Sequence, residues 1–432
     1  MKMDIIMKIN KFLGGVLSLS LLLSACGTSS SDSNSDVTEL TFWGHQNVPW
    51  NDSYEKIAKE FESENPDIKI NFEFFPYDQF ESKVQTSLMS KEGGADIYEM
   101  WGGWAIDFAS TDALAQIPDN LSEEVRNEMY PSTYGALEYD GKIYGMPMEF
   151  NIEYGGMIIN NHIFEEKGVT APTTWEELVD VAKKCTVKEG ETFEIKGFDF
   201  VNWDSVPYTF LSMILSQGGS YLSEKTFDFN TPEAIQSWEA LAALVRDDQV
   251  TDLTGLTGGE ELEGYQQLYA NRVAMVPRGP WAISEGVQSF GLEYGKDFTY
   301  VSMPFYGQQQ KFANETGWSL SVNNSIDDKK KEAAFKFMDY FFQDDVILQH
   351  NISCTQIPAK KAVAQNSELL ESTPYAEPLV KILENGQFIG YFNTDQFKEK
   401  VNTIFQQYVN GDISTAEEAM SKLTDECNSI IK

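Results

Sequence analysis

The sequence predicts an α/β protein of two domains. Strands and helices alternate from Leu40 onward, and well-marked helix starts recur along the rest of the chain. A length of 432 residues is also more than one domain of about 100–200 residues usually needs. The apolar and aromatic content is sufficient to fill a core in each domain.

The alternation is clearest between Leu40 and Met100. LTFWGH (40–45) is typical of a short buried strand, and apolar residues at helical spacing follow it up to Asn65-Pro66. IKINFEFF (68–75) has the period of a strand, a second helix carries apolar residues at 80, 84 and 88, and ADIYEM (95–100) predicts a third strand. This βαβ order is typical of a parallel sheet with helices on both faces.

Helix starts are marked by capping residues. Thr173 and Thr174 stand three residues before Glu176 and Glu177, which predicts a capping box at the helix that carries Trp175. Thr231-Pro232, in TPEAIQSWEALAALV, predicts another helix start, and the Trp238 of that helix lies in an apolar stripe. We therefore expect Trp175 and Trp238 to be structural. An Ala/Phe-rich helix over 329–342 and a final helix after Ser414-Thr415 complete the pattern.

The amino terminus predicts export and lipid anchoring. Residues 1–25 combine three lysines with an apolar run that is shorter than the ~20 residues of a membrane span, as in a secretory signal peptide. LSAC, ending at Cys26, resembles the bacterial lipobox, in which the cysteine is acylated; the alternative is an ordinary signal peptide with a chance cysteine. Residues 26–36 are Ser-rich and predict a flexible tether. We expect a mature protein on the outer face of the cell membrane, with a Gram-positive surface favoured.

Charge and cysteine content exclude several classes. A net charge of −35 disfavours nucleic acid and direct adsorption to anionic lipid, and solubility is its simplest role. Besides Cys26, the chain has Cys185, Cys354 and Cys427, of which at most two can pair. The three histidines are scattered and no HExxH or CxxC occurs, so we expect neither a metal site nor a cofactor.

Four segments in order resemble the carbohydrate-binding family of extracellular solute-binding proteins of ABC transporters, which includes maltose-binding protein. They are residues 144–184, with PTTWEEL after YGMPMEFNIEYGG; VAMVPRGPWAI at 273–283; 316–345, from TGWSLSV into an Ala/Phe-rich helix; and 409–430. The resemblance implies a periplasmic-binding-protein-like fold with two α/β lobes joined by hinge crossings. The first lobe is expected at 37–150 and 319–370, and the second at 151–318 and 371–432.

The resemblance also implies a function. A sugar or oligosaccharide would bind in the cleft between the lobes, and hinge closure would deliver it to ABC permease subunits. The protein would be a monomer without enzyme activity, held to the membrane through Cys26.

A sugar cleft needs aromatic platforms for C–H faces and polar groups for hydroxyls. Strand ends offer Trp43 with His45 and Gln46, and then Trp101 and Trp104 on a loop that the Gly102-Gly103 pair would bend. In the resembling family, the loop with Trp203, Asp204 and Tyr208 contacts sugar, and the tryptophan at the place of Trp281 stacks on a ring, beside Arg278 and Gly279 here. Trp318 fits core and cleft equally.

The first crossing supplies most of the polar candidates. In MEFNIEYGG, Glu149, Asn151 and Glu153 alternate with Phe150, Ile152 and Tyr154, so one of the two faces should line the cleft. Arg278 could indicate an acidic sugar, although bonds to neighbouring carbonyls are expected more often. Tyr391, Phe392 and Asp395 lie where relatives place another aromatic.

Two other functions remain open at this stage. A surface glycoside hydrolase would need two carboxylates about 5–9.5 Å apart, and Glu149 with Asp204 is the candidate pair. A binding protein of the same fold could instead take a polyamine, a peptide or an anion.

Overall fold

The computed structural model describes residues 37–90, 94–153, 155–201, 203–223, 225–257, 262 and 264–431. The predicted leader, the predicted lipidation site Cys26, the predicted tether and Tyr154 lie outside these residues.

The first part of the chain supplies most of one sheet and its flanking helices. Its elements are β1 (Thr38–His45), α1 (Val48–Glu64), β2 (Ile68–Phe75), α2 (Tyr77–Ser90), β3 (Ile97–Trp101), α3 (Gly102–Ala109), α4 (Asp119–Glu128), β4 (Glu138–Tyr139), β5 (Lys142–Ile143) and β6 (Met146–Pro147).

The middle of the chain builds a second sheet and a group of helices. Its elements are β7 (Gly156–Asn160), α5 (Asn161–Lys167), α6 (Trp175–Cys185), β8 (Val187–Glu189), β9 (Thr192–Ile195), α7 (Ser205–Ser216), β10 (Leu222–Ser223), β11 (Thr226–Phe227), α8 (Pro232–Arg246), α9 (Thr254–Thr257), α10 (Gly264–Tyr269), β12 (Met275–Pro277), α11 (Ala282–Gln288) and β13 (Phe298–Ser302).

The last part of the chain returns to the first sheet and then to the second group of helices. Its elements are β14 (Phe312–Asn314), β15 (Trp318–Val322), α12 (Asp328–Phe341), α13 (Asp344–Cys354), α14 (Lys361–Ala364), α15 (Ser367–Ser372), α16 (Ala376–Val380), β16 (Gly386–Phe388), α17 (Thr394–Asn410) and α18 (Ala416–Asn428).

The first lobe is built on a five-stranded sheet in the order β2-β1-β3-β15-β6. β1 is parallel to β2 and β3, as the βαβ pattern predicts, and β15 is antiparallel to β3 with Trp318 opposite Trp101. The carboxyl ends of β1, β2 and β3 therefore meet the beginning of β15 at one edge of the sheet. His45, Phe75, Trp101 and Trp318 lie at that edge.

The second lobe is built on a three-stranded sheet in the order β12-β7-β13, in which both outer strands are antiparallel to β7. The end of β12 and the beginning of β7 share one edge, which places Arg278 near the segment that precedes Gly156. The predicted caps are confirmed: the side chains of Thr174, Thr231 and Thr415 accept hydrogen bonds at the starts of α6, α8 and α18.

Segments between the sheets run close together. Residues 148–155, the first crossing, lead from β6 to β7, and residues 315–317, the second crossing, lead from β14 to β15. β14 pairs in parallel with β16. α15 packs against α13, whereas α16 packs against β13 of the second sheet. The α/β class and the two-lobed fold are confirmed, while the lobe limits given above remain a prediction.

The loop expected at Trp101–Trp104 is absent: Trp101 ends β3, and Gly102 begins α3. The glycines are required by packing, because a Cβ on Gly102 would overlap the carbonyl of Thr316 and one on Gly103 would crowd the side chain of Glu315. The prediction that the pair bends a loop to admit ligand was wrong.

The remaining structural expectations concern the core. Trp175 and Trp238 are buried, as predicted, and Cys185, Cys354 and Cys427 are buried free thiols. Within the described part of the chain, none of the helices combines the length and the apolar character of a membrane span.

Candidate functional site

The wall of the first lobe is an aromatic cluster around Trp318. His45 stacks on Trp318 with ring centroids 4.5 Å apart, and Trp101 packs at a tilt 5.3 Å away. His45 is fixed in turn by Glu99, whose Oε2 lies 2.8 Å from the ring Nδ1. Trp318 and His45 are each 8% exposed, so they form the floor of the site rather than open platforms.

Tyr77 is the open aromatic surface of this wall. It begins α2 directly after β2, is 59% exposed, and meets Trp318 edge to face at 6.1 Å. Burial of the hydroxyl raises the pKa of Tyr77, and the charges of Lys398 and Asp395 also act on it. The exposed ring, edge-on to Trp318, gives this wall an open aromatic face. The sequence reading missed Tyr77, although the strand-end rule applied to β2 would have found it.

Trp281 is held rigidly on the wall of the second lobe. Its indole Nε1 donates to Oε1 of Glu153 at 2.8 Å, and the backbone N–H of Gly279 donates to Oε2 of the same carboxylate at 3.1 Å. The guanidinium of Arg278 lies 4.5 Å from the Trp281 ring centroid. Burial raises the pKa of Glu153, and Arg278 opposes that shift. These contacts fix the plane of a ring that stays partly accessible.

The backbone of Trp203 adopts an unusual left-handed conformation. Its φ is +77°, which is rare for a bulky residue, and the side chain is 43% exposed. Nδ2 of Asn402 donates to the carbonyl of Trp203 at 2.8 Å and so helps to hold this conformation. Such strain costs about 1–3 kcal/mol and is typical of ligand sites.

Between these rings lies a network of charges. Asp204 accepts from Arg278 through Oδ2 and from Lys398 through Oδ1, each at 3.2 Å, and Lys398 also reaches Asp395 at 3.1 Å. Burial alone would lower the pKa of Lys398, but Asp204, Glu315 and Asp395 outweigh that effect and raise it. Arg278 thus faces a carboxylate, where the sequence reading favoured carbonyls. Lys398 lies inside α17 and carried no signal in the sequence.

Glu315 fastens the second crossing to the second lobe. The hydroxyls of Tyr208 and Thr394, at the starts of α7 and α17, both donate to this buried carboxylate. Burial raises the pKa of Glu315 to about 7. Tyr208 is therefore engaged at the hinge, and the sequence reading missed both Glu315 and Thr394.

Glu149 and Asn151 are also buried at the hinge. The backbone N–H of Trp318 donates to Glu149 at 3.1 Å, and burial raises the pKa of Glu149 to about 8. Side chains of both residues press against Gly317. Glu149, Asn151 and Glu153 were expected to share one face of the first crossing. In the structure Glu149 and Asn151 support the hinge, whereas Glu153 reaches the cleft.

The other predicted residues divide between core and rim. Trp104 is buried against Phe80, and Phe392 packs on Phe227 with centroids 4.8 Å apart. Trp43 is half-buried beside Phe75, whereas Gln46 is exposed. In the described ranges, no three His, Cys, Asp or Glu side chains are grouped to hold a metal ion.

Two α/β lobes with a cleft lined by aromatic and charged side chains define a solute-binding protein of the periplasmic-binding type. The chain belongs to the bacterial extracellular solute-binding protein family, whose model matches residues 56–378. This is a family of substrate-binding proteins rather than enzymes, and it acts outside the cytoplasm.

Individual relatives are similar over most of the chain. A binding protein of Brucella abortus is 27% identical over 350 residues, which cover 78% of this chain and 79% of the relative. The multiple sugar-binding protein of Streptococcus mutans is 24% identical over 282 residues, or 62% of this chain and 64% of the relative. The structure of an ABC substrate-binding protein of Listeria monocytogenes in complex with cycloalternan superimposes with a TM-score of 0.72 at 24% identity, covering 91% of this chain and 99% of that one.

Proposed function

We propose that this protein captures a sugar or oligosaccharide between its lobes and delivers it to an ABC permease by hinge closure. The observation that carries the proposal is the exposure of Tyr77 and Trp203, large rings on the two lobes at 59% and 43%. Aromatic faces in a cleft suit the C–H faces of sugar rings, and Trp281 adds a third surface with a fixed orientation. The names of the Streptococcus and Listeria relatives support a carbohydrate ligand.

The polar groups of the cleft fit a neutral ligand. Both basic side chains near Asp204 are paired with carboxylates, so an anionic ligand would have to compete with those pairs. Carboxylates accept hydroxyl hydrogen bonds, and Asp204 and Asp395 are both partly accessible. The proposal includes anchoring through Cys26, which would keep loaded protein near the permease and raise its effective concentration there.

Thermal-shift and calorimetric screening of the purified mature protein against mono- and oligosaccharides tests the ligand class. We expect stabilisation by at least one sugar without release of reducing ends. Stabilisation by spermidine or a peptide, and by no sugar, would overturn the carbohydrate assignment. For the anchor, cells fed labelled palmitate should incorporate the label into the wild type and not into Cys26→Ser; a wild type without label, or equal labelling of the two, would contradict lipidation.

A further inference from the structure

Glu99 lies beneath the aromatic wall of the first lobe, and its side chain has no exposed surface. It belongs to β3, which neighbours β1 in the sheet. Its Oε2 accepts from the backbone N–H of His45 at 2.7 Å and lies 2.8 Å from Nδ1 of the same residue, while its Oε1 accepts from the hydroxyl of Tyr54 at 2.9 Å. A buried carboxylate is costly unless donors of this kind surround it, so these contacts fix its position.

Gly44 makes room for this carboxylate. A Cβ at Gly44 would lie 2.9 Å from Oε2 of Glu99, which is closer than carbon and oxygen atoms normally approach. A side chain at that position would therefore displace the carboxylate from His45. The backbone of β1 and the side chain of Glu99 fit each other because a glycine precedes His45.

The contact with Glu99 determines which nitrogen of His45 carries the proton. A neutral imidazole has one N–H donor and one acceptor nitrogen, and a carboxylate beside Nδ1 keeps the proton on that atom. Nε2 is then the acceptor. The ring of Trp318, stacked on His45 with 9° between the two planes, holds the imidazole in this orientation.

Nε2 of His45 is turned away from the core, because Nδ1 on the other side of the ring is turned toward Glu99. Nε2 has no hydrogen-bond partner among the described residues, and the polar atoms that are both unpartnered and fully buried do not include it. The ring of Tyr77, 59% exposed, lies 6.5 Å from the imidazole, centroid to centroid. An accessible acceptor nitrogen therefore lies beside the open aromatic face of this wall.

We propose that Glu99 is a positioning residue for ligand binding: it keeps the His45 proton on Nδ1, so that Nε2 accepts a hydrogen bond from a hydroxyl of a sugar that lies against Tyr77. A hydroxyl can donate to this nitrogen, whereas an ether oxygen cannot. The pair thus selects for a hydroxyl at one place on the ligand. The inference rests on the proposed function and adds a residue that acts on specificity through His45, without touching the sugar.

Nitrogen NMR of the unliganded mature protein, labelled with ¹⁵N-histidine, tests the tautomer. The chain has only three histidines, and the signals that His45→Phe removes are those of His45. At about pH 9, well above the usual range for histidine, we expect wild-type His45 to carry its proton on Nδ1. A proton on Nε2 in the wild type would overturn the proposal, and this spectrum requires no substitution of Glu99.

Three variants test whether Glu99 acts through hydrogen bonding to His45. Glu99→Leu removes both acceptor oxygens and should abolish the preference for Nδ1. Glu99→Gln should keep it, because the amide oxygen can replace Oε2 and the amide NH₂ can donate to the hydroxyl of Tyr54. Tyr54→Phe is the matched control, since it disturbs Glu99 without removing either bond to His45, and the proton should stay on Nδ1.

Calorimetry with glucose, maltotriose, mannotriose and arabinotriose tests the consequence for binding. For the sugar that the wild type binds most tightly, Glu99→Leu should lose roughly tenfold in affinity and Glu99→Gln less than threefold. His45→Phe should lose about as much as Glu99→Leu, and the double variant His45→Phe/Glu99→Leu should lose no more than His45→Phe alone.

A full additional loss from Glu99→Leu on the His45→Phe background would show that Glu99 does not act through His45. A loss in Tyr54→Phe as large as that in Glu99→Leu would show a general effect of disturbing the core. Either result overturns the proposal and leaves the proposed function intact. Binding of none of the four sugars by the wild type counts against the proposed function, and it overturns the acceptor role of Nε2 as well.

Discussion

Trp281 and Glu153 form a fixed pair at the junction of the second sheet and the first crossing. The indole N–H donates to the carboxylate at 2.8 Å, and the second carboxylate oxygen accepts from the backbone of Gly279. The side chain of Glu153, in the first crossing, therefore fixes both the path of the backbone after β12 and the plane of the Trp281 ring. Since the crossing connects the lobes, the orientation of this platform is tied to the hinge.

Trp281→Ala should abolish most ligand stabilisation and leave the unliganded protein folded, because the ring is only half-buried. We expect sugar affinity to fall at least tenfold, or about 1.4 kcal/mol, measured by calorimetry. Trp281→Phe keeps a ring without the N–H and should lose less. A collapse of the unliganded fold in the alanine variant would show that Trp281 belongs to the core.

Glu149 should make stability depend on pH. Burial raises its pKa from 4.5 to about 8, so between these values the folded state holds a proton that the unfolded state releases. Stability contributed in this way falls as pH rises through that window, by at most about 1.4 kcal/mol per unit. The wild type should therefore lose stability relative to Glu149→Gln from pH 5 to pH 8.

Urea unfolding at several pH values measures that difference. Glu64→Gln, at an exposed position on α1, is the matched control and should run parallel to the wild type. A constant difference between Glu149→Gln and the wild type across the range would contradict the prediction.

Lys398→Met should destabilise the protein by about 2–3 kcal/mol, because it removes the buried common partner of two partly exposed carboxylates, of which Asp204 keeps Arg278. Lys59→Met removes an exposed pair with Glu55 and should cost at most about 1 kcal/mol. Denaturant unfolding checks both variants. Equal effects for the two lysines would mean that the network around Lys398 is as solvated as the surface.

Gly102→Ala should cost about 3 kcal/mol, since the added methyl group would overlap the carbonyl of Thr316 beside the second crossing. Gly168→Ala is the comparison: the space around it is open, and only its φ of +63° is unfavourable, at about 1 kcal/mol. Thermal melting curves of the two unliganded variants show which substitution destabilises the protein more. If Gly102→Ala were the milder change, α3 would not be packed as closely as described.

Much of the fold was predictable because its signals are local. The order of β1, α1, β2, α2 and β3 follows from apolar spacing, and the starts of α6, α8 and α18 follow from threonine caps. The region around Trp101 was predicted wrongly, because glycines are usually associated with turns. Here they open a helix, and the reason is the close approach of Thr316, more than two hundred residues away in the chain.

The site was less predictable than the fold. Trp281 and Trp203 were expected from the resemblance and lie on the accessible wall of the second lobe, but Tyr77 and Lys398 were missed. Within its own helix Lys398 pairs with Asp395 three residues earlier, a spacing that is common on any helix. Its role arises from Asp204, which is distant in sequence and reaches it only because α17 packs beside the start of α7.

The sequence by itself determined the α/β class, the order of the elements and the supply of aromatic side chains, because periodicity and capping act within a few residues of the chain. Only the tertiary structure decided which of those side chains stay accessible. Trp318 lies at the floor of the site and Trp104 lies in the core. Glu149 is buried at the hinge, whereas the ring of Tyr77 is exposed. These outcomes depend on how two sheets and their crossings pack against each other, and such long-range contacts leave no pattern in a local stretch of sequence.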